Sequence, residues 1–403
     1  MKKRILYINT ALNTGSTGHI VEQLAAQAVA AGDECLVVHG ARYCAHSSVP
    51  EWQIAGKWNE YLHALLSLLN LHGLGSCIAA LRLIRKIRTW KPDIIHIHNI
   101  HGYYVNFPLF MRFLRGCGVP VIWTLHDCWL LTGRCASFAV SGCGQWKTGC
   151  SVCPGLDDYP RSLVRYGVSR NYMLKKRLLT QIPNLTFVSV SQWLDGIVAQ
   201  SFLSGCRHLA VVNGIDTAVF KPVSGSLRRQ MGLEGKFVVV GVAGVWCAEK
   251  GLFDWKALAE RLDSRFALVM VGNVPDDVLP PSVLTVGTAA PAQLAEIYSM
   301  ADVVLSLSRQ ETFGMTLAEA MACGTPVMAY SNTAMTMMCS EKVGWLVNDR
   351  DLDAVAGKIE SLYGSSEVGE KAAACRDYVL EHYNLKNNLM QYMKLYTDTI
   401  TRK

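Results

Sequence analysis

The chain has 403 residues, half of them hydrophobic and 18% charged, with Lys and Arg exceeding Asp and Glu by 39 − 32 = 7. That length exceeds one ordinary core and divides naturally into two globular domains of roughly 200 residues. The mildly basic balance suits anionic substrates or an anionic membrane surface, and no apolar run approaches the roughly 18 residues of a membrane-spanning helix.

Met1-Lys2-Lys3-Arg4 leads directly into an apolar strand over 4–11, too short and too closely followed by polar residues for a signal peptide. The expectation is a cytoplasmic protein whose 14 cysteines are thiols or metal ligands rather than disulfides. Asn13-Thr14-Gly15-Ser16-Thr17-Gly18 turns that strand into a helix, and a second strand covers 34–40. Residues 58–90 carry leucines at helical spacing and gather Arg82, Arg85, Lys86 and Arg88 at their end. They read as core helices with a solvated basic edge, or as an interfacial patch on anionic lipid. Arg161, Arg165, Arg170, Lys175, Lys176 and Arg177 add charge in the same half.

Strands at 93–99 and 120–126 end in His96-Ile97-His98-Asn99-Ile100-His101 and Thr124-Leu125-His126-Asp127. The His-x-His pair lacks a third ligand at a telling spacing, so structural or substrate-contacting imidazoles are expected there rather than zinc. Beyond them Cys135, Cys143, Cys150 and Cys153 are spaced C-x7-C-x6-C-x2-C within a long insertion at 128–160. They read as a structural zinc site or as four plain thiols; a loop of this length needs some tether. Strands at 185–190 and 209–212 close the first half.

After Asn213-Gly214-Ile215-Asp216 and a polar stretch at 221–235 the alternation restarts, with strands at 237–243, 266–272, 283–287, 303–308 and 327–330. Continuous apolar strands separated by helices predict parallel sheets with helices on both faces. The architecture expected is α/β, with two tandem doubly wound, Rossmann-like domains over 1–212 and 213–383. A terminal helix at 384–403 would pack back on the first. Ligands then bind at the carboxyl ends of the strands, in a cleft between the domains.

The run after the fourth strand of the second half, Ser308 to Tyr330, is SRQETFGMTLAEAMACGTPVMAY. It reads as a strand end, then a helix closed by Gly324 with Pro326 beyond. The first-turn amides of Gly314, Met315 and Thr316 have no intrahelical partners and can hold a phosphate. Glu319 follows Glu311 by eight residues, close to two helical turns, and its carboxylate can accept from both hydroxyls of a ribose.

This pattern resembles the retaining family 4 glycosyltransferases of the GT-B fold. The likeness extends to Asn213-Gly214-Ile215-Asp216 with Phe220, to Gly244–Gly251, and to the turn carrying Gly15 and Gly18. The resemblance implies that Glu319 holds the nucleoside ribose and Glu311 the donor sugar. Phe313, Gly314, Met315 and Thr316 would meet sugar and diphosphate, and Lys250 would neutralise the leaving diphosphate. Gly15 and Gly18 would lie beneath that diphosphate, and His126 would contact the donor sugar in a supporting role. Val245 departs from the family, which usually has Arg there. That departure keeps alive a non-catalytic binding protein, a second alternative being a nucleotide-sugar epimerase.

The run WTLHDCWLLTGRCA with GCGQWKTGCSVCP further resembles a subgroup making bacterial exopolysaccharide, of the colanic acid biosynthesis type. The resemblance implies a UDP- or GDP-sugar donor, a lipid-linked saccharide acceptor, and peripheral contact with the inner face of the membrane. No Asp-x-Asp stands on a strand-end loop, so no catalytic metal is expected. An aromatic and basic platform for nucleic acid is also missing.

Overall fold

The structure, a computed structural model, describes residues 2–43 and 47–401. The chain falls into two compact units, Met1–Val212 with Leu389–Lys403, and Asn213–Asn388.

The first unit is built on β1 (Arg4–Leu12), β2 (Glu34–Tyr43), β3 (Glu51–Gln53), β4 (Ile94–Ile97), β5 (Val121–Leu125), β6 (Leu185–Ser189) and β7 (Arg207–Ala210). Among the described residues these form one parallel sheet in the order β3-β2-β1-β4-β5-β6-β7. Strands β4, β5 and β6 are buried at every position. This is why they read as unbroken apolar runs and not as an alternating pattern. Helices α1 (Gly15–Ala30), α2 (Lys57–Ser67), α3 (Cys77–Trp90) and α4 (Phe107–Gly116) lie between the strands.

The terminal helix expected over 384–403 runs over Leu385–Thr401, and residues 402 and 403 lie outside the described residues. Its Tyr392, Leu395 and Tyr396 join the apolar cluster of Ile5, Tyr7, Val21, Leu24 and Ile94. There His96 bonds the Tyr396 hydroxyl through Nδ1 and Thr124 Oγ1 through Nε2, both at 2.8 Å. His96 is thereby a core residue, and burial pushes its imidazole down to about 3.

The second unit contains β8 (Phe237–Val245), β9 (Phe266–Asn273), β10 (Val283–Val286), β11 (Val303–Ser306), β12 (Val327–Tyr330) and β13 (Gly344–Val347). They too are parallel, in the order β10-β9-β8-β11-β12-β13. Both sheets therefore reverse strand order once, between β1 and β4 and between β8 and β11. Such a switch point opens a crevice at the strand ends where ligands bind.

Two strands escaped the reading by pattern. β3 has three residues at a sheet edge. β13 opens on Gly344, where a side chain would collide with the Val327 carbonyl of the neighbouring strand, so a residue that looks like a breaker is required by close approach. Within 58–90, α3 buries Ala79, Ala80, Leu83 and Ile87 behind an exposed basic edge as expected, but α2 departs from a core helix. α2 turns Trp58, Tyr61, Leu62 and Leu65 to solvent and buries His63 and Ser67 instead.

Candidate active site

In the second unit the site is assembled by two loops flanking the switch point. After β8 the chain enters a short 3-10 turn, Ala248–Lys250, and leaves it through Gly251 at φ +77°. A side chain at Gly251 would collide with the Leu307 carbonyl, so only glycine lets this loop lie against the β11 loop. The two are tied by Arg309 N donating to Glu249 O at 2.8 Å. Lys250 Nζ then donates to Glu311 Oε1 at 2.7 Å. Burial presses against the ammonium, but the carboxylate outweighs it and holds the lysine above its ordinary range. Glu311 is itself anchored, its amide donating to Thr333 Oγ1 at 3.1 Å.

Gly314, at φ +98°, sets the start of the helix Met315–Ala322. In its first turn the amides of Met315 and Thr316 have no partner within the helix and carry the positive end of its dipole. Phe313 turns inward, buried and edge-on to Tyr383 at 5.4 Å, so its side chain is a packing group and not a ligand contact. Glu319 stays partly exposed and accepts the Tyr298 hydroxyl at 3.0 Å. Burial pushes its acid up to about 7, with the tyrosine bond pulling the other way.

Val245 is 63% exposed at the end of β8. Arg309, a cation tied to the loop after β8 through Glu249, is committed to Asp254 at 2.8 Å.

The first unit carries the remaining candidates at the same end of its sheet. Gly15, at φ +64°, begins α1. Gly18 lets that helix pass the β1 end closely, since a Cβ there would lie 3.2 Å from Asn13 N. His126 ends β5 and stacks on His98, with Nε2 2.9 Å from His98 Nδ1. Burial pushes His126 down to about 4, so it is a neutral imidazole able to donate to or accept from a hydroxyl.

Some partners were not legible in the sequence. His101 Nε2 lies 2.6 Å from Asp127 Oδ2. Burial opposes the charge of Asp127, yet His101 and the Trp129 amide hold its carboxyl below the usual range. Tyr298 and Thr333 were equally invisible, because a lone tyrosine or threonine carries no spacing signal.

Cys135, Cys143, Cys150 and Cys153 do line one small cavity of about 20 Å³, and Gly133 N donates to Cys150 Sγ at 3.2 Å. Even so, among the described residues no group of three or more His, Cys, Asp or Glu side chains is arranged to hold a metal ion. The expectation of a structural zinc is not met by this arrangement, and no chemistry here is routed through one. The insertion is tethered by other means. Buried Arg134 donates to the carbonyls of Gly155, Asp158 and Pro160. Phe138 stacks on Trp146 at 4.9 Å, and Lys175 Nζ reaches Trp129 O at 2.5 Å and Thr132 O at 3.0 Å.

Comparison with known proteins decides the family. Residues 17–218, half of the chain, match the model of Glycosyltransferase Family 4, and residues 225–381 match that of Glycosyl transferases group 1. The chain belongs to the family 4 glycosyltransferases. As such it is a transferase of glycosyl groups with a GT-B fold. It is 27% identical over 309 residues to the putative colanic acid biosynthesis glycosyl transferase WcaC of Escherichia coli, covering 72% of each chain. Among solved structures it resembles sucrose-phosphate synthase of Thermosynechococcus elongatus, with TM-score 0.73, 16% identity and full coverage of both chains. It also resembles Anabaena HepE in complex with UDP-glucose, with TM-score 0.69 and 16% identity over 98% of this chain and all of that one. In this glycosyltransferase no described helix is long and apolar enough to cross a membrane.

Proposed function

We propose that this glycosyltransferase takes a sugar from a nucleoside-diphosphate donor, with retention of configuration. The acceptor would be a lipid-linked saccharide at a membrane surface, in the assembly of an exopolysaccharide. The observation that carries the reading is the joint placement, in one unit, of Lys250 paired with Glu311, the free first-turn amides at Met315 and Thr316, and Glu319 held by Tyr298. That set offers a cation, amide donors and a hydroxyl acceptor, matching the diphosphate and ribose of such a donor. HepE, seen with UDP-glucose, and WcaC, named for colanic acid, support donor and pathway class respectively.

Chemically, the bond between the sugar's anomeric carbon and the diphosphate oxygen breaks while the acceptor oxygen attacks the same face. The acceptor proton passes to the departing diphosphate, whose new charge Lys250 and the helix amides stabilise. Glu311 orients the sugar. Because Lys250 and the amides carry the diphosphate charge, no catalytic metal is called for.

The test is transfer from UDP- and GDP-sugars to a polyprenyl-diphosphate-linked saccharide, with the product's anomeric configuration read by NMR. Retention, undiminished by chelator, is the expected result; inversion would overturn the mechanism. A folded protein that binds donor without transfer would favour the binding-protein alternative, to which Val245 points.

A further inference from the structure

α2 is an amphipathic helix mounted the wrong way round for a soluble protein. Trp58, Tyr61, Leu62 and Leu65, with Leu69 just beyond its end, recur at the spacing of one helix face. That face is in water, with Trp58 82%, Leu62 65% and Leu65 62% exposed. The opposite face is polar and pinned down. Asn59 Nδ2 and His63 Nδ1 both bond Ser76 Oγ at 2.8 Å, and His63 Nε2 accepts from Gly73 N at 2.9 Å. The orientation is therefore fixed by hydrogen bonds, and the helix cannot roll its leucines inward without breaking them.

Ser76 directly precedes α3, so these bonds also fasten the two helices together. α3 likewise exposes apolar Ile78 and Leu81, and presents Arg82, Arg85 and Arg88 to solvent. At its end Arg88, Lys91 and Arg112 line a groove of about 540 Å³ against α4. Between residues 57 and 91 the chain has six Lys or Arg and one Asp or Glu. That acid, Glu60, is occupied by the Ala41 amide. Beside the end of α2, Leu163 N donates to Leu68 O at 2.8 Å, which brings exposed Leu163, Arg165 and Tyr166 to the same corner.

We infer that this face of the first unit docks on an anionic lipid bilayer. α2 lies in the interface with its tryptophan, tyrosine and leucines among the acyl-chain tops, and the α3 cations sit over phosphate headgroups. Charge complementarity selects this occupant: a shallow one-helix apolar stripe bordered by arginines is the pattern of an interfacial helix. The inference deepens the reading of a lipid-linked acceptor, and it is tested by binding alone.

The experiment is co-sedimentation of the full chain with vesicles of phosphatidylcholine, alone or with about a third phosphatidylglycerol, across a salt series. Binding is expected to require the anionic lipid and to weaken with salt. The variant Trp58→Glu/Leu62→Glu/Leu65→Glu is expected to lose it by about tenfold or more. Arg82→Glu/Arg85→Glu should keep weak binding that no longer responds to salt. Far-ultraviolet dichroism and the thermal shift with nucleotide confirm that both variants are folded. Equal recovery with and without anionic vesicles would overturn the inference, as would undiminished binding of the triple variant. So would a wild-type dimer in solution that the triple variant breaks, since a second copy would then cover the face. Vesicle binding without transfer to a lipid-linked acceptor would leave this inference standing and remove the acceptor reading instead.

Discussion

Glu319 is a hydroxyl acceptor whose readiness depends on pH. Its folded acid is raised from 4.5 to about 7, chiefly by burial. Between those values the folded unit keeps a proton that the unfolded chain has released, so on this residue's account stability falls as pH climbs through that window. A ribose needs the carboxylate as acceptor, so nucleotide affinity is expected to rise as pH passes upward through about 7. Titrations from acid to mildly alkaline pH check this, and Glu319→Gln should flatten the profile; an unchanged profile in that variant would remove the assignment. Lys250 makes the complementary case. Its pair with Glu311 is about a quarter to a third exposed, so Lys250→Ala should cost roughly 1 kcal/mol or less in urea denaturation. Turnover should fall about a hundredfold or more, because the lost charge matters most as the diphosphate departs. The paired glutamates and the lysine were legible because glycines and spacing mark their loops. The residues that hold them in place were not. Tyr298 reaches Glu319 from another helix and Thr333 reaches Glu311 from beyond β12, contacts that only the folded chain defines.

The helix Met315–Ala322 depends on one backbone conformation. Gly314 sits at φ +98°, and a Cβ there would approach Met335 Cε to 2.5 Å. Gly314→Ala is expected to cost about 1–2 kcal/mol in strain. It should also weaken nucleotide binding more than that loss of stability explains, since it moves the first-turn amides. Gly287→Ala is the control, with open space around its Cβ. A Gly314→Ala protein with unchanged nucleotide affinity would show that the amides do not carry the diphosphate. At this scale the fully buried strands β4, β5 and β6 were the easiest elements to read, because burial on both faces writes them as plain apolar runs. α2 was the hardest. Its periodicity is that of a core helix, and only the hydrogen bonds of His63 and Asn59 reveal which face turns inward.

Across the whole molecule the two parallel, doubly wound sheets were accessible from the alternation of strands and helices, and the family models match both halves. The return of the C-terminal helix to the first unit rests on Tyr392 and Tyr396 meeting Thr124 and His96 at 3.0 and 2.8 Å, pairings across 268 and 300 positions of the chain. The cysteine insertion shows the limit of spacing arguments. Four thiols reach one cavity, as C-x7-C-x6-C-x2-C suggests, without the arrangement a metal needs. The donor site is the claim on which the rest depends. It is tested most directly by calorimetric titration of UDP, GDP and their sugars into the wild-type chain and Glu319→Ala. Saturable one-to-one binding of one nucleotide family is expected, weakened at least about tenfold in the variant, the loss of roughly 1.4 kcal/mol. Equal affinity in the two proteins, or no binding to a folded wild type, would contradict it.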